Sequence, residues 1–172
     1  MIAVTDTSPL NYLIRLGVPG ILSEIYGRVL IPAAVLGELK HPGAPEDVRN
    51  WASRPPAWLQ EVHVRDVDST LSPTLGLGER EAISLAAEIR ADILILDDFK
   101  ARIAARDRGL QVAGTIAVLR EASMRARLPF SFSEAVEQIC QLGFRITPKT
   151  VKDALAEYEA LRKDRESAGD AP

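Results

Sequence analysis

Three short aliphatic runs mark the chain: Ile2-Ala3-Val4, Val29-Leu30-Ile31 and Ile93-Leu94-Ile95-Leu96. None alternates polar with apolar positions, so each predicts a strand covered on both faces, as in a parallel sheet. A fourth, weaker strand is expected at Gln111-Val112-Ala113. Between the runs, the apolar period lengthens to that of a helix. Leu10, Leu13 and Ile14 mark one helix. Others are expected at 18–26, 33–40, 79–90, 99–108, 116–126 and 132–142. A last amphipathic helix starts at Pro148 and carries Val151, Leu155, Tyr158 and Leu161. Strands alternating with helices predict an α/β fold with a parallel sheet.

Residues 41–76 interrupt this pattern with Pro42, Pro45, Pro55, Pro56 and Pro73. A short helix at 47–53 and an edge strand at Val62-His63-Val64 are expected within them. Trp51 and Trp58 also lie here. A satellite core beneath a long loop explains such a pair better than a base-stacking surface does. No internal repeat and no long polar linker is visible, so residues 1–164 read as one domain and 165–172 as a disordered tail.

Composition narrows the class. The chain has 172 residues, 47% of them hydrophobic, enough for a core without staples. Its single cysteine, Cys140, excludes an intrachain disulfide and suits a reducing compartment. No apolar run reaches the roughly 18 residues of a membrane span, and the first strand starts at the initiator Met. A cytoplasmic protein with no membrane partner is expected. The net charge of -3 gives no global sign of nucleic-acid binding.

The acids carry the candidate chemistry. Asp6 follows the first strand. Ser8 is a natural N-cap for the next helix, with Pro9 at its first position, which leaves Asp6 free. Asp97 and Asp98 end the third aliphatic run, where open α/β sheets bind ligands. Asp98 reads as the cap of helix 99–108 and Asp97 as the site residue. Glu38 lies in the last turn of its helix, where an acid opposes the macrodipole by roughly 0.3–1 kcal/mol. A cation nearby would explain it; a solvated surface Glu is the plainer alternative. Glu79 shares a face with Ile83 and Ala86, which should turn towards the sheet, while Glu81 sits with Ser84 and Glu88 on an expected wet side. A first-turn acid favoured by the helix dipole is the plain reading of Glu79. Oxygen ligands of this kind suit Mg²⁺ or Mn²⁺, and carboxylates gathered without a cation would repel. His41, His63 and Cys140 have no zinc-like spacing. Gly114-Thr115 opens a helix whose N–H groups are placed to support a phosphate. Arg102 and Arg106, at i,i+4, form a modest basic patch, either a solvated face or a contact for phosphates.

The pieces V-T-D-T-S-P-L at 4–10, I-P-A-A-V-L-G-E-L at 31–39, L-G-E-R-E-A-I-S-L-A at 77–86 and L-I-L-D-D at 94–98, with A-R-I-A-A and Gly114-Thr115 downstream, occur in one order. In that order the chain resembles the PIN-domain nucleases, most closely a prokaryotic branch related to VapC-like toxins. The resemblance implies a three-layer α/β/α sandwich with a short, mostly parallel sheet, followed by C-terminal helices. It implies metal-dependent cleavage of single-stranded RNA, with Asp6, Glu38, Glu79 and Asp97 holding one or two Mg²⁺ or Mn²⁺ ions. Asp98 is a fifth candidate, Ser8 and Thr115 are polar supporters, and Arg102 and Arg106 are candidates for RNA phosphates. It further implies a homodimer silenced by a small antitoxin protein. Glu79 stands where the commoner VapC-like toxins carry Asp, which changes the reach of that carboxylate.

Other classes fit less well. Gly76-Leu77-Gly78 starts like a dinucleotide loop, but Glu81 occupies the third glycine position and no clear strand precedes it. A haloacid-dehalogenase-like phosphatase would carry a second Asp where Ser8 stands. The remaining alternative is a catalytically weak PIN-like module that binds nucleic acid or a protein partner.

Overall fold

The structure, a computed structural model, describes residues 1–167. The elements run β1 (Ile2–Thr5), α1 (Thr7–Arg15), α2 (Ile21–Tyr26), β2 (Arg28–Pro32), α3 (Ala33–Leu39), α4 (Glu46–Ser53), β3 (Leu59–Val62), α5 (Leu77–Glu88), β4 (Ile93–Ile95), α6 (Phe99–Arg106), β5 (Val112–Ala113), α7 (Thr115–Met124), α8 (Phe132–Gln141) and α9 (Pro148–Ser167). The strands form one parallel sheet in the order β3-β2-β1-β4-β5, flanked by helices. This is the PIN-like α/β/α architecture with C-terminal helices.

The aliphatic runs lack alternation because both faces of the sheet are covered. Val4, Leu30, Leu94 and Leu96 pack with Ile83, Leu85 and Ala86 of α5 and with Leu71 and Leu75 of the preceding loop. Their neighbours on the opposite face, Ala3, Val29, Ile31 and Ile95, are equally buried. Each large aliphatic so placed stabilises the fold by about 1.5–3 kcal/mol.

The strand order also fixes where a site can form. From β1 the sheet grows to β2 and β3 on one side and to β4 and β5 on the other. The carboxyl ends of β1 and β4 therefore flank the point where the winding reverses, the place where such sheets bind ligands. Thr5 is in register with Ile95, and the Asp6 N–H continues the ladder to the Ile95 carbonyl at 3.1 Å.

Several expectations need correction. The third strand is Leu59–Val62, not 62–64, and pairs with β2 as an edge. The second helix starts at Ile21 because Pro19 and Gly20 form a turn before it. Ser84 is buried rather than wet: its hydroxyl bonds the Arg80 carbonyl and accepts the Asp68 N–H, as the 65–76 loop folds over α5. That loop is held by Arg108, whose Nε donates to Asp68 at 2.6 Å and whose Nη2 donates to Thr70 at 2.7 Å. Trp51 and Trp58 are half-buried with ring centroids 6.0 Å apart.

Contacts divide the chain into two compact units, Met1–Thr115 and a second that begins at Ile116. The second is helical. Phe132 of α8 and Tyr158 of α9 bring their rings to 4.8 Å, and Ser123 donates to the Tyr158 hydroxyl at 3.0 Å. Ser131 and Glu134 close a capping box at the start of α8. Helix α9 runs through Ser167, so residues 165–167 are helical where a disordered tail is expected; 168–172 lie outside the described residues. Among the described residues no helix is long and apolar enough to cross a membrane.

Candidate active site

Asp6 takes the N-cap position of α1, yet its side chain makes no capping bond. Ser8, expected to be that cap, lies inside the first turn and donates instead to Asp97 Oδ2 at 3.1 Å. A partner 89 residues away has taken the hydroxyl that local pattern assigns to the helix start. Asp6 is 5% exposed, and its Oδ1 is buried with no hydrogen-bond partner. Unsatisfied buried acceptors are rare and call for an explanation. Burial pushes its carboxyl up from the ordinary 3.8 to about 7. The Thr7 N–H pulls it down, while Glu79, Glu38 and Asp97 each push it further up.

Asp97 follows β4 and is held on both oxygens. Thr115 donates its N–H to Oδ1 at 2.8 Å and its hydroxyl to Oδ2 at 2.7 Å. The helix starts at Thr115, one residue before the expected 116, and the Thr115 N–H is taken by Asp97. Burial raises the Asp97 carboxyl, against the lowering effect of Thr115, Ser8 and Arg102. Gly114 makes room for this group: a Cβ there would lie 3.3 Å from Asp97 Oδ1 and 3.6 Å from Arg102 Nη1. Arg102 Nε is buried without a partner. The structure therefore separates the two arginines of the expected patch. Arg102 is half-buried beside Asp97, and Arg106 is exposed.

Glu38 reaches from the end of α3 to the start of α5. Its Oε1 accepts the Gly78 N–H at 3.1 Å, and its Oε2 accepts the Thr7 hydroxyl. Glu81 makes the return contact, accepting the Ala34 N–H in the first turn of α3 at 3.1 Å. Each acid satisfies an orphan donor at the other helix's N-terminus. Thr7, Gly78 and Glu81 are the residues that sequence reasoning missed. Thr7, in the quoted D-T-S piece, carried a signal; the other two act across 40 and 47 residues. Glu79 turns back to its own helix and accepts the Gly76 N–H at 2.8 Å. Burial raises its carboxyl, as do Asp98 and Glu38, against the Gly76 N–H. Asp98 caps α6 through the Ala101 N–H at 2.9 Å, as expected.

Among the described residues, no three His, Cys, Asp or Glu side chains already stand in a metal-ligating arrangement. Glu38 and Glu79 are occupied by the start of α5. The donor set still fits a hard divalent cation, because it is all oxygen and includes the orphaned, buried Asp6 Oδ1. A cation would also offset the mutual repulsion that Asp6 feels.

The sheet is parallel and flanked by helices, and Asp6 and Asp97 stand at its switch point with Glu38 and Glu79 bearing on Asp6. Residues 2–160 match the family model DUF3368, PIN domain, and the chain belongs to that PIN-domain family. PIN domains are generally metal-dependent nucleases. Among solved structures, a PilT N-terminus domain protein, SSO1118, from the hyperthermophilic archaeon Sulfolobus solfataricus P2 is similar, with 18% identity and a TM-score of 0.48 over 76% of this chain and 96% of that one. No curated protein matches the chain.

Proposed function

We propose that this protein is a metal-dependent endoribonuclease that cleaves single-stranded RNA. One observation carries the reading: Asp6 stands at the switch point with a buried oxygen that nothing satisfies, under the repulsion of three further carboxylates. Asp6, Asp97, Glu38 and Glu79 would hold Mg²⁺ or Mn²⁺, with Asp98 near enough to bear on Glu79. The ion, when bound, supplies a Lewis acid that makes hydroxide from water and neutralises a leaving oxygen. Ser8 and Thr115 fix the orientation of Asp97. Arg102, beside Asp97, and exposed Arg106 offer positive charge to the phosphates of the strand. The test is cleavage of single-stranded RNA in Mn²⁺ and its loss in EDTA. Activity that survives chelation, or none on any RNA, would contradict the reading.

The resemblance to VapC-like toxins supports a place as the toxin of a toxin–antitoxin pair, acting in the cytoplasm as a homodimer and silenced by a small antitoxin. Growth arrest on expression, relieved by the product of an adjacent small reading frame, tests that.

A second reading is a PIN-like module that binds nucleic acid or a protein partner with little turnover. The bonds that tie Glu38 to Gly78 and Glu79 to Gly76 favour it. RNA binding without cleavage in saturating Mn²⁺ would select it.

A further inference from the structure

Gly37, inside α3, has no evident reason to be glycine. Its backbone is not left-handed, and a Cβ there would meet no atom within 4 Å. Glycine in a helix interior is destabilising by roughly 1 kcal/mol relative to Ala. The space over Gly37 belongs to an open groove of about 480 Å³, whose walls include Ala34, Glu38, His41, Gly43 and Leu77. Leu77 is 50% exposed there, a large apolar side chain with no cover. The Nδ1 of exposed His41 accepts the Gly43 N–H at 3.0 Å, which leaves Nε2 as its other ring nitrogen. Glu38 is a wall of the groove and is also one of the acids whose charge bears on Asp6, so the groove and the acid site share this one residue.

We propose that this groove is a nucleotide subsite that receives one base and its ribose from the RNA strand whose phosphate lies at the acid site. The proposal rests on the nuclease reading for what occupies the acid site. The chemistry of the walls selects the occupant. No Lys or Arg lines the groove, and it has one carboxylate, so it suits neither a phosphate nor a free anion. A flat, weakly polar base fits between an imidazole, an exposed Leu and a floor of small residues, since unpaired bases stack on such side chains. Each Glu38 oxygen already accepts one protein donor and keeps a second lone pair, which matches the donors of a ribose hydroxyl or an exocyclic amine. The volume lies within the range of small-ligand sites.

Gly37→Leu tests this, because its Cβ enters open space, its side chain occupies the groove, and it improves helix propensity. His41→Asn keeps an acceptor for the Gly43 N–H and removes the ring. Binding of a fluorescein-labelled single-stranded RNA is followed by anisotropy in Ca²⁺, beside thermal melts and an abasic oligomer of the same length. Gly37→Leu should weaken binding about tenfold or more with an unchanged or higher melting temperature, and His41→Asn should weaken it severalfold. The abasic oligomer should bind the wild type less tightly and be less affected by either variant. Wild-type binding by both variants, equal affinity for the abasic oligomer, or no binding of RNA at all would overturn the subsite. Cleavage by the wild type in Mn²⁺ is scored separately, so loss of the subsite and loss of the nuclease reading give different results.

Discussion

Glu38 and Gly78 are fitted to each other: Oε1 of the first accepts the N–H of the second at 3.1 Å, and a Cβ at 78 would stand 2.8 Å from that oxygen. Gly78 lies in the first turn of α5, where Ala is ordinarily the better helix former by roughly 1 kcal/mol. Here the added methyl displaces the carboxylate and breaks the bond. Gly78→Ala should therefore fail to stabilise the wild type yet stabilise a Glu38→Ala background. A double-mutant cycle by thermal denaturation should return a coupling of about 0.5 kcal/mol or more. Additive effects would show that Glu38 is not held by this contact.

Asp6 gives the fold a pH dependence of defined sign. Its value in the fold, about 7, lies above the ordinary 3.8, so folding takes up a proton between those limits. The stability tied to the protonated group is complete below about pH 4 and is lost as pH rises through 7. At ~1.4 kcal/mol per pKa unit, full ionisation costs a few kcal/mol. In EDTA, Asp6→Asn should raise the melting temperature relative to wild type more at pH 8 than at pH 5. The same difference at both values would contradict the assignment.

Asp97 is the acid whose charge is most separable from its scaffolding role. An Asn at 97 keeps an acceptor for the Thr115 N–H, and the Ser8 and Thr115 hydroxyls can turn to accept from its amide. Asp97→Asn should melt within a few degrees of wild type and lose cleavage by about 10² or more. Thr115→Val, which removes one charge-assisted bond from a fully buried site, should cost about 1.5–3 kcal/mol of stability.

Arg102 and Arg106 should behave differently although they share a helix face in the sequence. Arg102 lies beside Asp97 with a buried, unpartnered Nε, so Arg102→Ala should lower turnover. Arg106 is exposed. Arg106→Ala should leave turnover near wild type and reduce the slope of log affinity against log salt by about 1. Equal effects on turnover would argue against the separation.

The sheet is legible wherever a strand is covered on both faces, because an unbroken run of three or four aliphatics bounded by turn and cap signals is too short for a buried helix. The pattern fails at β3, whose Leu59-Gln60-Glu61-Val62 pairs at an edge and carries two exposed polar side chains, so burial leaves little periodicity there. The positions of Asp6 and Asp97 at strand ends and the cap at Asp98 are legible because strand ends and helix starts are local features. Ser8, Ser84 and Glu81 depart from their local pattern for one shared reason. Each has a partner distant in sequence: Asp97 for Ser8, the Asp68 N–H for Ser84, and the Ala34 N–H for Glu81. Local periodicity carries no information about such pairings. Nor does it show that Glu38 and Glu79 are both engaged by the start of α5.

The most direct measurement of the central claim is anomalous scattering from a crystal of the wild-type protein soaked in Mn²⁺. A Mn²⁺ ion bound by Asp6 and Asp97, with Glu38 or Glu79 released from the start of α5 to join it, is the predicted result. A crystal in which Mn²⁺ is absent from Asp6, or sits only on other surface acids, would contradict it.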